Sequence, residues 1–229
     1  MKAMILAAGR GERMRPLTDT CPKPLLMVGG KPLIVWHIER LRDAGITELV
    51  INHAHLGQQL EDTLGDGQAL GVRISWSPET RALETAGGIC QALPQLGNSA
   101  FIVVNGDVFC DVDFTALQTT AARLNPDADL AHLVLVANPE HNVDGDFALD
   151  AGRVRTHGTS RLTFSGIGAY HPQLFDGLTS GIPAKLAPLL RSAMDADRVS
   201  GKLHPGQWID VGTPERLQAL DAALSRGAP

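Results

Sequence analysis

Apolar runs that end at glycine or polar turn residues alternate with segments of helical spacing along residues 1–137. "KAMILAA", "ELVINH", "GVRISWS" and "AFIVVNGD" each predict a strand, and "AFIVVNGD" is the most continuous apolar run. Strands that are apolar on both faces are typical of parallel sheets. Between them, "PLIVWHIERLRDAGI", "LGQQLEDTLGDG" and "TAGGICQALPQL" carry apolar residues at helical spacing, the first with Pro32 near its start and Gly45 as its stop. The alternation predicts an α/β protein whose mostly parallel sheet is covered by helices on both faces.

The pattern changes after about residue 138. "GDFALDAGRV" contains two strand-like runs around "DAG", which predicts a hairpin, and "LTFSGIGAYHP" predicts a further strand. "PAKLAPLLRSAM" and "TPERLQALDAALSR" have the spacing of amphipathic helices. We expect this half to complete the same sheet and to add a small β-hairpin layer on the substrate side. The chain is then one domain over 1–229, with halves of about 1–137 and about 138–229.

The overall composition is that of a globular protein with an ordinary core, because 44% of its 229 residues are hydrophobic and 20% are charged. The formal net charge of −5 gives no electrostatic case for nucleic-acid binding. Cys21, Cys90 and Cys110 are odd in number and lack metal-ligand spacing, so we expect no disulfide framework and a reducing cytoplasm. The apolar run in "MKAMILAAGRG" is too short for a signal peptide or a membrane span, and no obligate protein partner is evident.

The stretch "LAAGRGERMRPLT", residues 6–18, joins the first predicted strand to a glycine turn rich in positive charge. Gly9 and Gly11 let a ligand approach the backbone closely, and loop N–H groups can surround phosphate oxygens. The loop also carries Arg10, Arg13 and Arg15. Arginine suits phosphate because its planar fork can donate two parallel hydrogen bonds. We interpret it as a polyphosphate cradle at the carboxyl edge of the sheet, the alternative being a surface turn with solvated charges.

This loop differs from the two best-known phosphate-binding motifs. It lacks the glycine–lysine–serine/threonine ending of a P-loop, and Met14 stands where the dinucleotide fingerprint has its third glycine. An NAD-dependent oxidoreductase is therefore the weaker interpretation. Instead, "CPKPLL" holds Lys23 between two prolines, whose fixed φ keeps this lysine on a stiff segment that follows the predicted cradle.

"MILAAGRGERMRPLTDTCPKPLLMVGGKPLI" resembles the opening of the sugar-1-phosphate nucleotidylyltransferases, whose signature is L-A-G/A-G-x-G-x-R-x-x-P-L-T, then P-K-P-L-L and G-K-P-L/M-I. Further family markers are "ETAGGI", "VVNGDV" and "WIDVGTPERL", so the resemblance spans almost the whole chain. It implies a Rossmann-like doubly wound fold with a nucleotide-binding first half and a sugar-binding second half. The implied reaction joins a nucleoside triphosphate to a sugar 1-phosphate and releases pyrophosphate.

The resemblance also implies which residues bind the nucleotide. Arg13 would hold the departing β,γ-phosphates and Lys23 the α-phosphate region, whereas Arg10 and Arg15 are as readily explained by solvent exposure. The expected catalytic residues are Arg13, Lys23 and Asp107. The expected nucleotide-binding residues are Ala8, Gly9, Gly11, Glu12, Arg13, Lys23, Glu79, Gly87 and Gly88.

Asp107 and Asp210 are the candidate ligands of a metal ion. Asp107 ends the apolar run "FIVVNGD", so we expect its side chain at the same sheet edge as the glycine loop, and Asp210 ends a short apolar stretch in "GQWIDVGTP". Polyphosphate chemistry commonly uses Mg²⁺ held by one or two carboxylates, and the resemblance assigns this pair to Mg²⁺. The alternatives are a turn residue for Asp107 and a helix-start residue for Asp210, although Thr213 is the better N-cap.

The stretch "SPETRALETAGG" is expected to contact the base. Glu79 can accept the N3–H of uracil, and backbone N–H groups near Gly87 and Gly88 can serve a uracil carbonyl. A carboxylate can also accept two N–H bonds from guanine, so these residues leave UTP and GTP open. "ALETAGGI", with Glu84 where most of the family has glycine, resembles members that use UTP and N-acetylmuramate 1-phosphate. The alternative for Glu79 and Glu84 is first-turn helix residues favoured by the helix dipole.

The sugar side carries weaker signals. Asn105 lies two residues before Asp107 and would share its face of the strand, whereas Glu140 and Gly145 align with a sugar-contacting loop of relatives. The family's E-K-P motif is replaced by "THGTSRLTFSG", which suits a roomier pocket for a lactyl-bearing sugar. Burying the lactyl carboxylate needs a donor or a cation. Because no arginine cluster in the second half marks one, we expect the lactyl group at the pocket mouth, partly in water.

The expected reaction is thus uridylyl transfer from UTP to N-acetylmuramate 1-phosphate, in cell-wall sugar recycling. The open alternatives are GTP with mannose 1-phosphate, UTP with glucose or N-acetylglucosamine 1-phosphate, and a silent regulator that binds sugar nucleotides. The intact Lys23, Asp107 and Asp210 argue against the silent regulator. Relatives that also acetylate sugars carry a hexapeptide-repeat extension, and without one after Pro229 we expect no second activity.

Overall fold

The computed structural model describes residues 1–227 of the chain. The helices are α1 (Leu33–Asp43), α2 (Gly57–Leu64), α3 (Glu84–Leu96), α4 (Phe114–Ala121), α5 (Leu186–Asp195) and α6 (Pro214–Ser225). The strands are β1 (Lys2–Leu6), β2 (Met27–Val28), β3 (Lys31–Pro32), β4 (Glu48–His53), β5 (Arg73–Pro78), β6 (Phe101–Asn105), β7 (Val108–Cys110), β8 (Ala131–Val136), β9 (Phe147–Asp150), β10 (Arg153–Arg155), β11 (Arg161–Tyr170), β12 (Val199–Leu203) and β13 (Trp208–Asp210).

The strands predicted in the first half form one parallel block. The nine-stranded main sheet has the order β5-β4-β1-β6-β11-β8-β12-β10-β9, and neighbours among its first four strands run parallel. The helix α1 begins after Pro32 and ends before Gly45, as the sequence predicts. The α/β class is therefore confirmed.

The expectation of a mostly parallel sheet is wrong, because strands of the second half make the main sheet mixed. Strand β11 is antiparallel to both β6 and β8, and the hairpin β9–β10 pairs with β11 and β12 at the far edge of the same sheet. The predicted hairpin therefore exists, but it is not a separate layer. A two-stranded ribbon is only marginally stable alone, and joining the main sheet pairs its exposed backbone groups.

Two hydrophobic cores lie on opposite sides of the main sheet. In β1, Ala3 and Ile5 belong to one core and Met4 to the other, as the two-residue period of a strand requires. Helices α1, α2 and α4 contribute to the first core, and α3 and α5 to the second. The site is thus built on strands buried on both faces.

A third, smaller core holds the N-terminal loop against the end of the chain. Met14 is fully buried there and shares the cluster with Phe109 of β7, Val211 after β13, and Leu217 and Leu220 of α6. The methionine that breaks the dinucleotide fingerprint is therefore a core residue. It ties the glycine loop to the β7–β13 ribbon.

Some elements have no counterpart among the sequence predictions. Strand β8 is buried along its whole length and has the same continuous apolar signal, "AHLVLV", that marks β6. Helix α4 begins at an N-cap, Asp113, whose side chain accepts a hydrogen bond from the Ala116 N–H at 2.9 Å.

Within residues 1–227 no helix is long and apolar enough to cross a membrane. All three cysteines are free.

Candidate active site

Strands β4, β1 and β6 end side by side, and their carboxyl ends carry polar residues. The register pairs Leu6 with Asn52 on one side and with Asn105 on the other. A cavity of about 530 Å³ lies at this edge, and all three residues line it. Its position is the one that open α/β sheets use for ligands.

The glycine loop that follows β1 is folded back on itself. Gly11 has a φ of 63°, and a Cβ at this position would lie 2.9 Å from Thr18 Cγ2 and 3.3 Å from Lys23 Cβ. The Thr18 hydroxyl donates a hydrogen bond to the Gly11 carbonyl oxygen at 2.8 Å. Only glycine combines this backbone conformation with this close approach, which brings the loop against the lysine segment.

Lys23 and Asp107, which both line the cavity, form an ion pair. Lys23 Nζ lies 2.8 Å from Asp107 Oδ2, and the lysine side chain is 8% exposed whereas the aspartate is 40% exposed. A nearly buried cation is thus directed at a carboxylate that remains open to the cavity. This is an arrangement that can receive both a phosphate and a metal ion.

The cavity brings together most of the residues predicted for the nucleotide. Those in its lining are Ala8, Gly9, Gly11, Glu12, Arg13, Lys23 and Glu79. Asp107, predicted for catalysis and the metal, and Asn105, predicted for the sugar, also line it. Of the two arginines left open, Arg10 also lines it, whereas Arg15 pairs with Asp19 at 3.2 Å on the surface. Glu84 lines the cavity as well.

Glu79 is held by a buried hydrogen-bond network. Its Oε1 accepts from Asn52 Nδ2 at 2.6 Å, and its Oε2 accepts from the Leu83 N–H at 3.1 Å. Asn52 Oδ1 in turn accepts the Ala7 N–H at 2.9 Å, so one amide joins the carboxylate to the start of the glycine loop. Burial raises the pKa of the Glu79 carboxyl above its ordinary value, and the two donors partly offset this. Glu79 is thus a buried acceptor, not a first-turn helix residue.

Gly87 and Gly88 lie in the helix that begins at Glu84, away from the cavity lining. Both are buried inside α3, and the Gly87 N–H already donates to the Ala184 carbonyl at 3.1 Å. A Cβ at Gly88 would lie 2.6 Å from Glu79 Oε1, so this glycine makes room for the carboxylate. Neither residue lines the cavity. The Gly87 N–H is therefore already used within the protein.

Glu84 begins α3 with an unusual backbone. Its φ of 60° lies in the left-handed region, which costs an L-residue about 1–2 kcal/mol. The residue before it is held by a hydrogen bond from the Ala184 N–H to the Leu83 carbonyl at 3.0 Å, and the Ala86 N–H donates to Ala184 at 2.9 Å. Contacts on both sides therefore impose the conformation of Glu84.

The backbone of Asp210 lies beside that of Asp107, but the two carboxylates have different partners. In the ribbon, β13 pairs Asp210 with Val108, and the Val211 N–H donates to the Asp107 carbonyl at 3.0 Å. The Asp210 carboxylate accepts from Arg216 Nη1 at 2.8 Å and is itself outside the cavity lining. Thr213 is the N-cap of α6, so the helix-start alternative for Asp210 is wrong.

The residues expected on the sugar side are only partly brought together. Asn105 lines the cavity and packs against the bulge in β11, where a Cβ at Gly166 would lie 2.4 Å from Asn105 Nδ2. Glu140 is exposed and Gly145 is buried, and neither lines the cavity. Their loop nevertheless reaches Asp210, because His141 Nε2 lies 3.3 Å from Asp210 Oδ2.

Three residues of this region were not predicted: Asn52, His141 and Arg216. Asn52 had a signal, since it is a polar residue near the end of the apolar run "ELVINH", as Asn105 is in "FIVVN". His141 and Arg216 are 75 residues apart, yet Arg216 Nη1 lies 3.2 Å from His141 Nε2. No spacing in the sequence marks such a pair.

The fold and the cavity define an α/β protein whose candidate site, at the carboxyl ends of parallel strands, is lined by a glycine loop, Lys23 and Asp107. Residues 2–153 match the sequence model of the nucleotidyl transferase family, and the chain belongs to that family. This confirms the resemblance to the sugar-1-phosphate nucleotidylyltransferases and their transferase activity.

Individual relatives are similar over nearly the whole chain. An N-acetylmuramate alpha-1-phosphate uridylyltransferase of Neisseria meningitidis serogroup B is 62% identical over 97% of each chain. A protein of the same name from Caulobacter vibrioides is 34% identical over 97% of this chain and 96% of its own. A crystal structure from Bacillus anthracis, assigned as a glucose-1-phosphate thymidylyltransferase with sucrose, has a TM-score of 0.86 at 23% identity, covering 98% of this chain and 95% of its own. That structure supports the fold alone.

Proposed function

We propose that this protein transfers a uridylyl group from UTP to N-acetylmuramate 1-phosphate, giving UDP-N-acetylmuramate and pyrophosphate. The observation that carries the proposal is the 62% identity to the Neisseria meningitidis uridylyltransferase over 97% of both chains. The cavity supports nucleotide binding, because a glycine loop, a nearly buried lysine and the buried carboxylate of Glu79 line one space.

The nucleotide is assigned to the side of the cavity formed by the first half of the chain. Arg13, exposed on the glycine loop, would bind the β,γ-phosphates that leave, and Lys23 would bind the α-phosphate. Glu79 would accept the uracil N3–H through an oxygen lone pair that its two fixed donors leave open. The loop residues Ala8, Gly9, Gly11 and Glu12 would surround the phosphates.

Asp107 and Asp210 fit a Mg²⁺ site by their chemistry and their neighbouring backbones. Carboxylates are the ligands Mg²⁺ prefers, and the ion is usually completed by water and substrate phosphates. Lys23 pairs with Asp107 and Arg216 pairs with Asp210. Both carboxylates therefore lie where positive charge is favourable. When bound, Mg²⁺ would neutralise phosphate charge and align the two substrates.

The reaction needs no covalent enzyme intermediate. An oxygen of the sugar 1-phosphate attacks the α-phosphorus of UTP, the bond to the bridging oxygen breaks, and pyrophosphate leaves with that oxygen. The protein aligns the two phosphates and stabilises the charge that develops on the leaving group. Lys23 is suited to this because its side chain is 8% exposed and so acts at low dielectric.

Asn105, Glu140 and Gly145 are proposed to form the sugar side. Asn105 faces the cavity from the end of β6 and can bond sugar hydroxyls or the acetamido group. Glu140 and Gly145 belong to the loop that meets Asp210 through His141.

We further propose that the chain is one domain with a Rossmann-like, doubly wound first half. The continuous nine-stranded sheet, which includes strands from both halves, supports this. A role in cell-wall sugar recycling in the cytoplasm is also proposed, and the three free cysteines suit a reducing compartment.

A pyrophosphate-release screen tests the function. Four nucleoside triphosphates are combined with N-acetylmuramate, N-acetylglucosamine, glucose and mannose 1-phosphates, and kcat/KM is measured for each pair. We expect the highest value for UTP with N-acetylmuramate 1-phosphate. Because Glu79 can also accept two guanine N–H groups, a preference for GTP with mannose 1-phosphate is the result that would overturn the assignment.

A further inference from the structure

We infer that Arg216, flanked by His141, is the residue that recognises the lactyl carboxylate of the sugar and thereby sets sugar specificity. This inference rests on the proposed function. It replaces the expectation that the lactyl group lies in water for want of a cation.

The two residues converge from opposite parts of the second half. Arg216 is in the first turn of α6, and His141 is in the loop that follows β8. Arg216 Nη1 lies 2.8 Å from Asp210 Oδ2 and 3.2 Å from His141 Nε2. Their side chains are 26% and 41% exposed, so a ligand can reach both.

The two terminal nitrogens of the Arg216 guanidinium have different neighbours. Nη1 is bonded to Asp210, whereas Nη2 lies 2.9 Å from the position that a Cβ at Gly212 would take. Gly212 lines the cavity and Arg216 does not, so the guanidinium lies next to the lining at Gly212. A guanidinium carries five N–H donors in a rigid fork, and it can hold two carboxylates at once.

The chemistry of the sugar matches this position. A carboxylate taken from water needs a charge-assisted hydrogen bond to offset its desolvation. The loop that carries His141 also carries Glu140 and Gly145, the residues proposed for the sugar side. A sugar held by that loop would bring a carboxylate substituent towards Arg216.

The contact would act on specificity rather than on chemistry alone. N-acetylglucosamine 1-phosphate lacks the lactyl group and cannot make the contact. Loss of Arg216 also disturbs Asp210, which lowers turnover with every sugar by a common factor. The ratio of kcat/KM for the two sugars removes that common factor and reports the carboxylate contact.

The experiment compares Arg216→Met, which keeps the apolar stem, and Arg216→Lys, which keeps the charge without the fork, using UTP and both sugars. Arg226→Met, an exposed arginine at the other end of α6, is the matched control. A third substrate, in which the lactyl carboxylate is converted to its amide, keeps the shape and removes the charge.

We expect the ratio of kcat/KM for N-acetylmuramate over N-acetylglucosamine 1-phosphate to fall about 10- to 100-fold in Arg216→Met, the size of one charge-assisted hydrogen bond. Arg216→Lys should retain part of the ratio, and the control all of it. The wild type should discriminate against the amide, and Arg216→Met should not.

Equal losses with both sugars in Arg216→Met would overturn the inference and leave Arg216 as a support of Asp210 or a contact of the sugar phosphate. The proposed function fails separately, at the wild-type stage, if N-acetylmuramate 1-phosphate is not the preferred sugar.

Discussion

The cavity region proposed for the nucleotide and the neighbouring region proposed for the sugar are built in different ways. On the nucleotide side, residues 7–14 and Lys23 lie close together in the sequence, and a buried network fixes Glu79 through Asn52. In the region proposed for the sugar, Asp210, Arg216 and His141 meet outside the cavity lining, and only because a ribbon, a helix and a long loop converge. The first side is a local motif on a parallel sheet edge, and the second is a product of long-range packing.

This difference has a chemical meaning. Every nucleoside triphosphate offers the same phosphates, so one glycine loop with nearby cations serves them all. Sugars differ in substituents whose partners must be placed individually. Variants in the two regions should therefore differ in what they change: turnover or nucleotide affinity on one side, and the choice of sugar on the other.

The largest effect is expected at Lys23. Lys23→Met keeps the stem beside Gly11 but removes the cation proposed to bind the α-phosphate, so kcat should fall roughly 10²- to 10³-fold. Steady-state pyrophosphate release measures the loss, and circular dichroism checks the fold. Lys31→Met is the control, because Lys31 lies 3.7 Å from the Trp36 ring centroid, outside the cavity. Unchanged turnover in a folded Lys23→Met protein would remove the assigned role.

The junction of the two sides is tested at Asp107 and Asp210. Asp107→Ala and Asp210→Ala should each lower Mg²⁺-dependent turnover by about 100-fold or more, because both carboxylates are proposed to serve one ion. The double variant should be little worse than either single one. Losses that multiply in the double variant would contradict a shared metal site. Calorimetric Mg²⁺ titration in the presence of UTP gives a second readout.

A smaller effect is expected from the buried network on the nucleotide side. Asn52→Ala removes one donor to Glu79, so KM for UTP should rise about tenfold, the cost of roughly one hydrogen bond. Because burial raises the pKa of Glu79 and Asn52 opposes this, the variant's Glu79 should take up a proton at a higher pH. KM for UTP should then begin to rise earlier as the pH is lowered.

The matched control for this network is Asn125→Ala, which loses a hydrogen bond from the Asp127 N–H at 3.0 Å on the surface. It should leave KM for UTP unchanged at every pH. A pH profile of Asn52→Ala that superimposes on the wild type would show that Asn52 does not tune Glu79.

The smallest effect is expected on the free energy of unfolding, at one residue with a strained backbone from each half. Glu84 and Ala151 both have positive φ, 60° and 45°. Glycine at either position should raise the free energy of unfolding by roughly 0.5–1 kcal/mol, since relief of strain exceeds the entropic cost of glycine. Only Glu84→Gly should also change KM for UTP, because Glu84 lines the cavity and Ala151 lies in the β9–β10 turn. Urea unfolding and UTP kinetics measure the two outcomes, and a stabilised Glu84→Gly with unaltered KM would exclude a ligand contact for this side chain.

The fold was predictable where its signals are local. Apolar runs identified β1, β4 and β6, and the alternating run "GVRISWS" identified β5. Pro32 and Gly45 marked the limits of α1, and all these features act within a few residues. The direction of β11 was not predictable, because an apolar strand carries no mark of which neighbours it will have. That direction turned the expected parallel sheet into a mixed one.

The site divides in the same way. The sequence by itself determined the glycine loop, Lys23, Glu79 and Asp107, because backbone freedom, proline stiffness and strand ends are properties of short segments. Only the tertiary structure decided that the Gly87 N–H is occupied by Ala184. It also decided that His141 and Arg216, 75 residues apart, share the Asp210 carboxylate. The reason is physical: a hydrogen-bond partner or a counter-ion is chosen by distance in space, and packing of the whole chain sets that distance.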